Sequence, residues 1–355
     1  MSRAALEELV RDGEVIDGRR SWSGLDLSGA DLSGGIFDGA NLAGADLRGA
    51  DLREAMLNGV RLDGARLSGA NLGKAGFNDC TLNHADLGGI EAAGWSAVGC
   101  GLRGASFAGA RLMQANLVRC RLTRADFTAA RIERSNLVRC RTDEMNLGDA
   151  QCEEAAFVDG DFTRVGLAGT RFVQANFVRI VFAGRDLRGF AVPGCFFADC
   201  DLAGCDLSGA DLTQAGLQRA RAAGARFEGA RMARAVLFEA KLTGAVLRGA
   251  DLTNAILQGA DLAGADATGA RFHQAACAGM NAPRARFADG DFTYADLSHA
   301  NLEDADLSGA TLARANLHMI RDAGARIPDR HAALPPDRDR AEAEQWQRRF
   351  AATAP

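Results

Sequence analysis

Ala40-Asn41-Leu42-Ala43-Gly44-Ala45-Asp46-Leu47-Arg48-Gly49-Ala50 is a five-residue unit written twice and begun a third time. Its central apolar residue recurs at every fifth position, from Leu27, Leu32, Phe37, Leu42, Leu47 and Leu52 onward to Leu317. Of these 59 positions, 51 carry Leu, Phe, Ile, Met or Val, so the register holds from Leu25 to about Ile327. Ala commonly stands two residues before the centre, as at Ala30, Ala45 and Ala65, and Gly two residues after, as at Gly29, Gly44 and Gly64. An internal repeat of this kind dictates the fold before any other signal does.

A period of five matches neither a helix (3.6) nor a flat strand (2.0). It is satisfied by a chain that turns a corner every five residues, so that the central residue and the preceding Ala both point inward. A second period supports this. Asn116-Leu117-Val118-Arg119-Cys120-Arg121 returns as Asn136-Leu137-Val138-Arg139-Cys140-Arg141, and Cys80, Cys100, Cys120 and Cys140 are spaced by twenty. Four fives make one coil of a four-sided stack.

The run Ala30-Asp31-Leu32-Ser33-Gly34, with its copies at Ala40 and Ala45, resembles the A(D/N)LxG signature of pentapeptide repeat proteins. The resemblance implies an all-β solenoid, a right-handed quadrilateral parallel β-helix with short terminal capping helices. Fold does not fix function here, because the family is functionally diverse. At a strand spacing of ~4.8 Å, about fifteen coils make a rod of roughly 70 Å.

The expected organisation is a capping helix and lead-in over 1–20, repeats over 21–328, and a linker with a C-terminal helix over 329–355. Ser2 can cap a helix over 2–12 that presents Leu6, Leu9 and Val10 on one face and stops at Gly13. Such a lid answers the unpaired strand edge at a solenoid's end. At the other end, Asp337 to about Ala351 reads as a helix with Ala343, Trp346 and Phe350 on one side. Its plain role is a cap; its sharper role is to join two copies as a homodimer. Ala92 and Ala97 are undersized centres, with Ile90 and Trp95 in the neighbouring small positions. Volume is exchanged within the interior, and a bulge or altered corner is expected there.

Composition is that of a globular protein, 47% apolar and 25% charged with net charge −5. No run is long enough for a membrane helix, and Met1 opens no signal peptide. All nine Cys fall at inward positions, which suits small buried hydrophobes in a reducing compartment and a cytoplasmic location. Stacked Cys project in parallel and do not converge as zinc requires. His84, His273, His299, His318 and His331 read as scattered outward or terminal residues. No phosphate loop, HExxH or nucleophile elbow is present, so no catalytic, cofactor or metal residues are assigned.

The outer faces therefore carry any specificity. Val98, Val118, Val138, Val158 and Val178 form one outward column, continued by Phe238, and Phe196, Val236 and Ile256 lie on the same face. An apolar stripe on a soluble surface marks a docking site; the competing reading is strand propensity alone. Residues 26–99 hold ten acidic against five basic residues, whereas 101–141 hold nine Arg against two acids. Arg119, Arg121, Arg139 and Arg141 should share one corner, able to face an anionic partner or to remain a solvated edge.

Two functions compete. The first is a non-enzymatic scaffold that holds a protein partner on a flat face. The second, implied by the resemblance, is a DNA mimic that binds DNA gyrase or another topoisomerase and confers quinolone or toxin resistance. A 70 Å duplex carries on the order of forty charges, far more than this nearly neutral chain with its basic middle. A third reading, a bacterial pentapeptide protein associated with secretion systems, rests on the general pattern alone. Direct nucleic-acid binding is not expected.

Overall fold

The computed structural model describes residues 2–335, 337 and 339–344. The chain divides into two compact units, Met1–Val181 and Phe182–Pro355, each of them a parallel β-solenoid. In the first unit a parallel sheet runs in chain order through Val15–Asp17, Ile36–Asp38, Met56–Asn58, Gly76–Asn78, Ser96–Val98, Asn116–Val118, Asn136–Val138, Ala156–Val158 and Asn176–Val178. Successive members are offset by twenty residues, with Leu117 opposite Leu137 and Val118 opposite Val138. A second sheet of Arg111–Met113, Arg131–Glu133, Gln151–Glu153 and Arg171–Val173 forms the preceding side of the same coils. The other sides are joined by single parallel bridges such as Asp46↔Arg66 and Asp86↔Ser106. The second unit repeats this bridged pattern, as in Asp211↔Arg231↔Asp251↔Arg271.

The five-residue period follows from what points inward. Leu102, Phe107, Leu112 and Leu117 are the four central residues of one coil, and all are fully buried together with Ala105, Ala110 and Ala115. Each large side chain contributes ~1.5–3 kcal/mol by leaving water. The corner explains the glycines. Two residues past nearly every centre the backbone enters the left-handed region, with φ +60° at Gly29 and +54° at Arg119. Gly meets that demand without the Cβ penalty that other residues carry. The corner's own bond, Ala30 N–H to Leu27 O at 3.1 Å, alternates with bonds between coils, Leu27 N–H to Asp46 O at 2.7 Å and Asp46 N–H to Leu25 O at 2.8 Å. Backbone polar groups are thereby paired throughout the stack, as burial requires.

The N-terminal helix spans Arg3–Arg11, with Ser2 Oγ accepting from Ala5 N–H at 3.3 Å. It completes the edge of the first coil with side chains. Elsewhere an amide such as Asp51 N–H reaches a carbonyl 21 residues earlier, here Ala30 O. Asp31 N–H instead donates to Glu7 Oε1, while the Arg3 guanidinium donates to Ser28 O at 2.7 Å and Gly29 O at 2.6 Å. Val15–Asp17 pairs with Ile36–Asp38 at a spacing of 21, since Val15 faces Ile36. One extra residue is therefore taken up before Trp22. At the other end, Arg314 N–H donates to Ala332 O and Leu334 N–H to Ala315 O, so the chain leaving the repeats covers part of the last coil's edge. A 3-10 turn spans Arg330–Ala332. A helical turn covers 339–344, with Asp337 Oδ1 accepting from Arg340 N–H at 2.9 Å. Trp346 and Phe350 lie outside the described residues.

The bulge expected at Ala92 and Ala97 does not form. Phe77, Ala97 and Leu117 stay in register, and Ile90 and Trp95 are fully buried. Trp95 fills the volume its neighbours give up, standing edge-on to Phe77 at 5.6 Å. The exchange of volume is complete inside the coil, so the backbone has no need to move. Among the described residues no helix is long and apolar enough to cross a membrane.

Candidate functional site

Charge divides the sides of the first unit. The side formed by Arg111–Met113 and its partners presents Arg111, Arg131, Glu133, Glu153 and Arg171 outward. Asp26, Asp46, Arg66, Asp86 and Asp126 occupy another bridged column. The long sheet differs. From Met56–Asn58 to Asn176–Val178, none of the outward residues on its strands carries a charge. Val98, Val118, Val138, Val158 and Val178 stack in successive register. Each is half-buried, because neighbours one strand spacing away shade one another. In the column beside them Asn136 Nδ2 donates to Asn116 Oδ1 at 2.6 Å. Ile36 and Met56 extend the apolar surface and are more exposed.

The second unit shows the same division. Three outward columns carry charge in most coils, among them the alternating Asp211, Arg231, Asp251, Arg271 and Asp291. Their ions are paired: Arg231 with Asp211 at 2.9 Å and Arg271 with Asp251 at 2.8 Å. The fourth reads Phe196, Gly216, Val236, Ile256 and Ala276 and takes up a charge at Asp296 in the following coil. Its companion outward positions, from Ala198 through Phe238 to Ala278, are also uncharged. Phe196, Phe238 and Ile256 rank among the more exposed large apolar side chains.

The corner that carries Arg119, Arg121, Arg139 and Arg141 is not uniformly positive. Arg121 and Arg141 are bridged in register, and Arg119 and Arg139 both turn the corner with φ +54°. All four are exposed. In the next coil Asp159 meets Arg139 at 3.3 Å and Arg179 at 2.6 Å. The Arg179 hydrogen bond, seconded by Arg139, holds the Asp159 carboxyl below its usual range. An anionic partner would have to compete with that carboxylate, so the corner is the weaker candidate.

The cysteines are free and buried. Each of the four stacked thiols donates to a carbonyl, as Cys80 Sγ does to Leu57 O at 3.3 Å and Cys140 Sγ to Leu117 O at 3.3 Å. The hydrogen bond with Cys120, together with burial, pushes the Cys100 thiol up to about 12. The histidines correct the sequence reading. His299 and His318 are not scattered: they stand together with Glu344. Their separation of nineteen is the signal that was missed, since it places them side by side on adjacent coils once the chain is folded modulo twenty. Glu344 had no such signal, because it lies beyond the repeats.

A family model described as pentapeptide repeats matches residues 26–64, 61–90, 100–141, 186–217, 215–254, 245–276 and 278–320, which together exceed half of the chain. Among solved structures, the plasmid-mediated fluoroquinolone resistance protein QnrB1 is 20% identical, with 55% of this chain and 88% of that chain covered and a TM-score of 0.33. HetL, a pentapeptide repeat protein involved in heterocyst differentiation regulation in Nostoc sp. strain PCC 7120, is 24% identical over 80% of this chain and 90% of its own, at a TM-score of 0.17. A pentapeptide repeat protein of the Arabidopsis thaliana thylakoid lumen is 28% identical over 40% of this chain and 72% of that one, at 0.11. No curated protein sequence matches this chain. The sequence match and the twenty-residue coils agree, and the chain belongs to the pentapeptide repeat family.

Proposed function

We propose that this protein is a non-enzymatic, cytoplasmic scaffold that docks a protein partner on its uncharged outer face. The observation that carries the reading is the sorting of charge: the other sides of each unit carry charge in most coils, part of it ion-paired, while one side presents uncharged Val, Ile, Phe, Asn, Gln and small residues from Met56 to Val178 and from Phe196 to Ala278. Solvation alone gives no reason to clear a surface of charge, whereas an interface core is depleted of charged residues. The chain's own C-terminal turn supports the idea. Glu344 contacts His299 and His318 at one end of that face in the second unit, where Ser298 and His318 are buried.

The DNA-mimic reading finds less support. Many carboxylates are already engaged by arginines, as Asp46 is by Arg48 and Arg66 and Glu144 by Arg124 and Arg164. That leaves little unbalanced negative field to imitate phosphates. Purified protein should leave gyrase supercoiling unaffected at micromolar concentration. Salt-sensitive inhibition at that concentration would replace the scaffold with the mimic.

A further inference from the structure

The cluster at the C-terminal end of the second unit has the chemistry of a metal site. His299 Nε2 lies 3.2 Å and His318 Nε2 3.3 Å from the same carboxylate oxygen, Glu344 Oε2. All three donor atoms fall within 4.8 Å of one another, and no other such group of His, Cys, Asp or Glu occurs among the described residues.

Two arrangements could account for this. Imidazolium groups hydrogen-bonded to a carboxylate sit at about 2.7–2.9 Å, shorter than either contact here. Ligands around a tetrahedral ion with bonds of ~2.0–2.1 Å are separated by about 3.3 Å. The two imidazole–carboxylate spacings match the second value, and the two imidazoles fall within 4.8 Å of each other. Two imidazoles and one carboxylate also form a recurrent zinc set that leaves a fourth position for water.

The surroundings favour a fixed site. His318 is nearly buried, and its backbone N–H donates to Asn316 Oδ1 at 3.0 Å. His299 stands at a left-handed corner, φ +60°, where a glycine would be cheaper. Its ring is half-exposed and lies edge-on to that of His318 at 5.4 Å, so a ring rotation can complete the triangle. Arg340 Nε donates to the other carboxylate oxygen, Oε1, at 2.9 Å, which orients Oε2 toward the imidazoles as outer-shell partners do.

We propose that His299, His318 and Glu344 bind one divalent transition-metal ion of the zinc class, with water as fourth ligand, and that the ion clasps the C-terminal helical turn to the last coils. Because Glu344 is supplied from outside the repeats, metal and turn hold each other in place. The assignment does not depend on the docking face.

The test uses the full chain, treated with EDTA and exchanged into buffer, then titrated calorimetrically with Zn²⁺ and spectroscopically with Co²⁺. One ion per chain is expected, together with visible d–d bands of a tetrahedral Co²⁺ site. Glu344→Gln and His299→Asn, the latter chosen because Asn tolerates a left-handed corner, should each weaken binding at least about a hundredfold. An outer-shell partner alone is worth up to about a hundredfold, and a direct ligand should be worth no less. Zn²⁺ should also slow tryptic cleavage between Arg321 and Arg340 in the wild type but not in Glu344→Gln. The proposal fails if the wild type takes up no ion at 100-fold excess of Zn²⁺. It also fails if Glu344→Gln binds as tightly as the wild type, which would place the ion on other residues such as the thiols.

Discussion

Two neighbouring residues of one strand put the repeat register to a sharp test. Leu137 is 3% exposed and stacked between Leu117 and Phe157, while Val138 points outward in the adjoining column. Leu137→Arg forfeits ~1.5–3 kcal/mol of apolar burial and places an unpaired charge in the interior, costing several kcal/mol more. The total, about 5 kcal/mol or more, is comparable to the whole stability of an ordinary domain. Val138→Arg leaves the interior intact, and its methylenes can lie along Val118 and Val158 with the guanidinium in water. Its cost should stay below about 1 kcal/mol. Urea unfolding followed by circular dichroism and by the fluorescence of buried Trp22 and Trp95 reads both variants. Leu137→Arg should lose native emission around Trp95, whereas Val138→Arg should unfold near the wild-type midpoint. Equal damage from the two, or a folded Leu137→Arg protein, would falsify the inward assignment.

Other consequences follow from the corners, the ion pairs and the N-terminal lid. At Gly99 φ is +69°, and a Cβ would sit 2.2 Å from Asp79 Oδ1; Gly99→Ala should cost about 1–2 kcal/mol, read as a lower melting temperature that Asp79→Ala partly restores. The hydrogen-bonded Arg48 guanidinium lowers the Asp46 carboxyl to about 2, and Arg188 does the same for Asp186. A depressed carboxylate stabilises the fold above its unfolded pKa, so stability should be level above pH ~4 and fall as pH drops toward 2. Asp46→Asn should flatten that slope in pH-dependent unfolding. Arg3→Ala removes the donors to Ser28 O and Gly29 O; amide exchange near residues 28–31 should accelerate about tenfold with little change further along the solenoid.

Much of this was legible before any coordinates, for a physical reason. A solenoid's contacts are set by one repeat length, so once Leu117 and Leu137 are known to stack, every inward and outward column follows by counting. The valine column and the arginine corner were found this way. Reading failed where counting stops. The interior could absorb Trp95 against Ala92 and Ala97 without moving the backbone, a matter of three-dimensional volume that a one-dimensional frame does not contain. The use of Glu7 and Arg3 in place of a preceding coil, and of Glu344 beside His299 and His318, depends on where non-repeating chain returns. The sorting of charge between sides was present in the sequence, but it emerges only when whole columns are compared.

The most direct test of the scaffold reading is the triple variant Val118→Thr, Val138→Thr, Val158→Thr. β-branching is kept, so the strands should persist; because the side chains are half-buried, about 0.5 kcal/mol per site is expected in stability. A partner covering all three would lose the remaining apolar burial and desolvate three hydroxyls, about 1 kcal/mol per site. That sum is roughly a hundredfold in affinity. The measurement is Kd for a captured protein partner, with melting temperature recorded on the same samples. The account predicts a hundredfold weaker Kd with melting lowered by only a few degrees. An unchanged Kd together with a steep fall in melting temperature would make these valines structural and move the interface to another side.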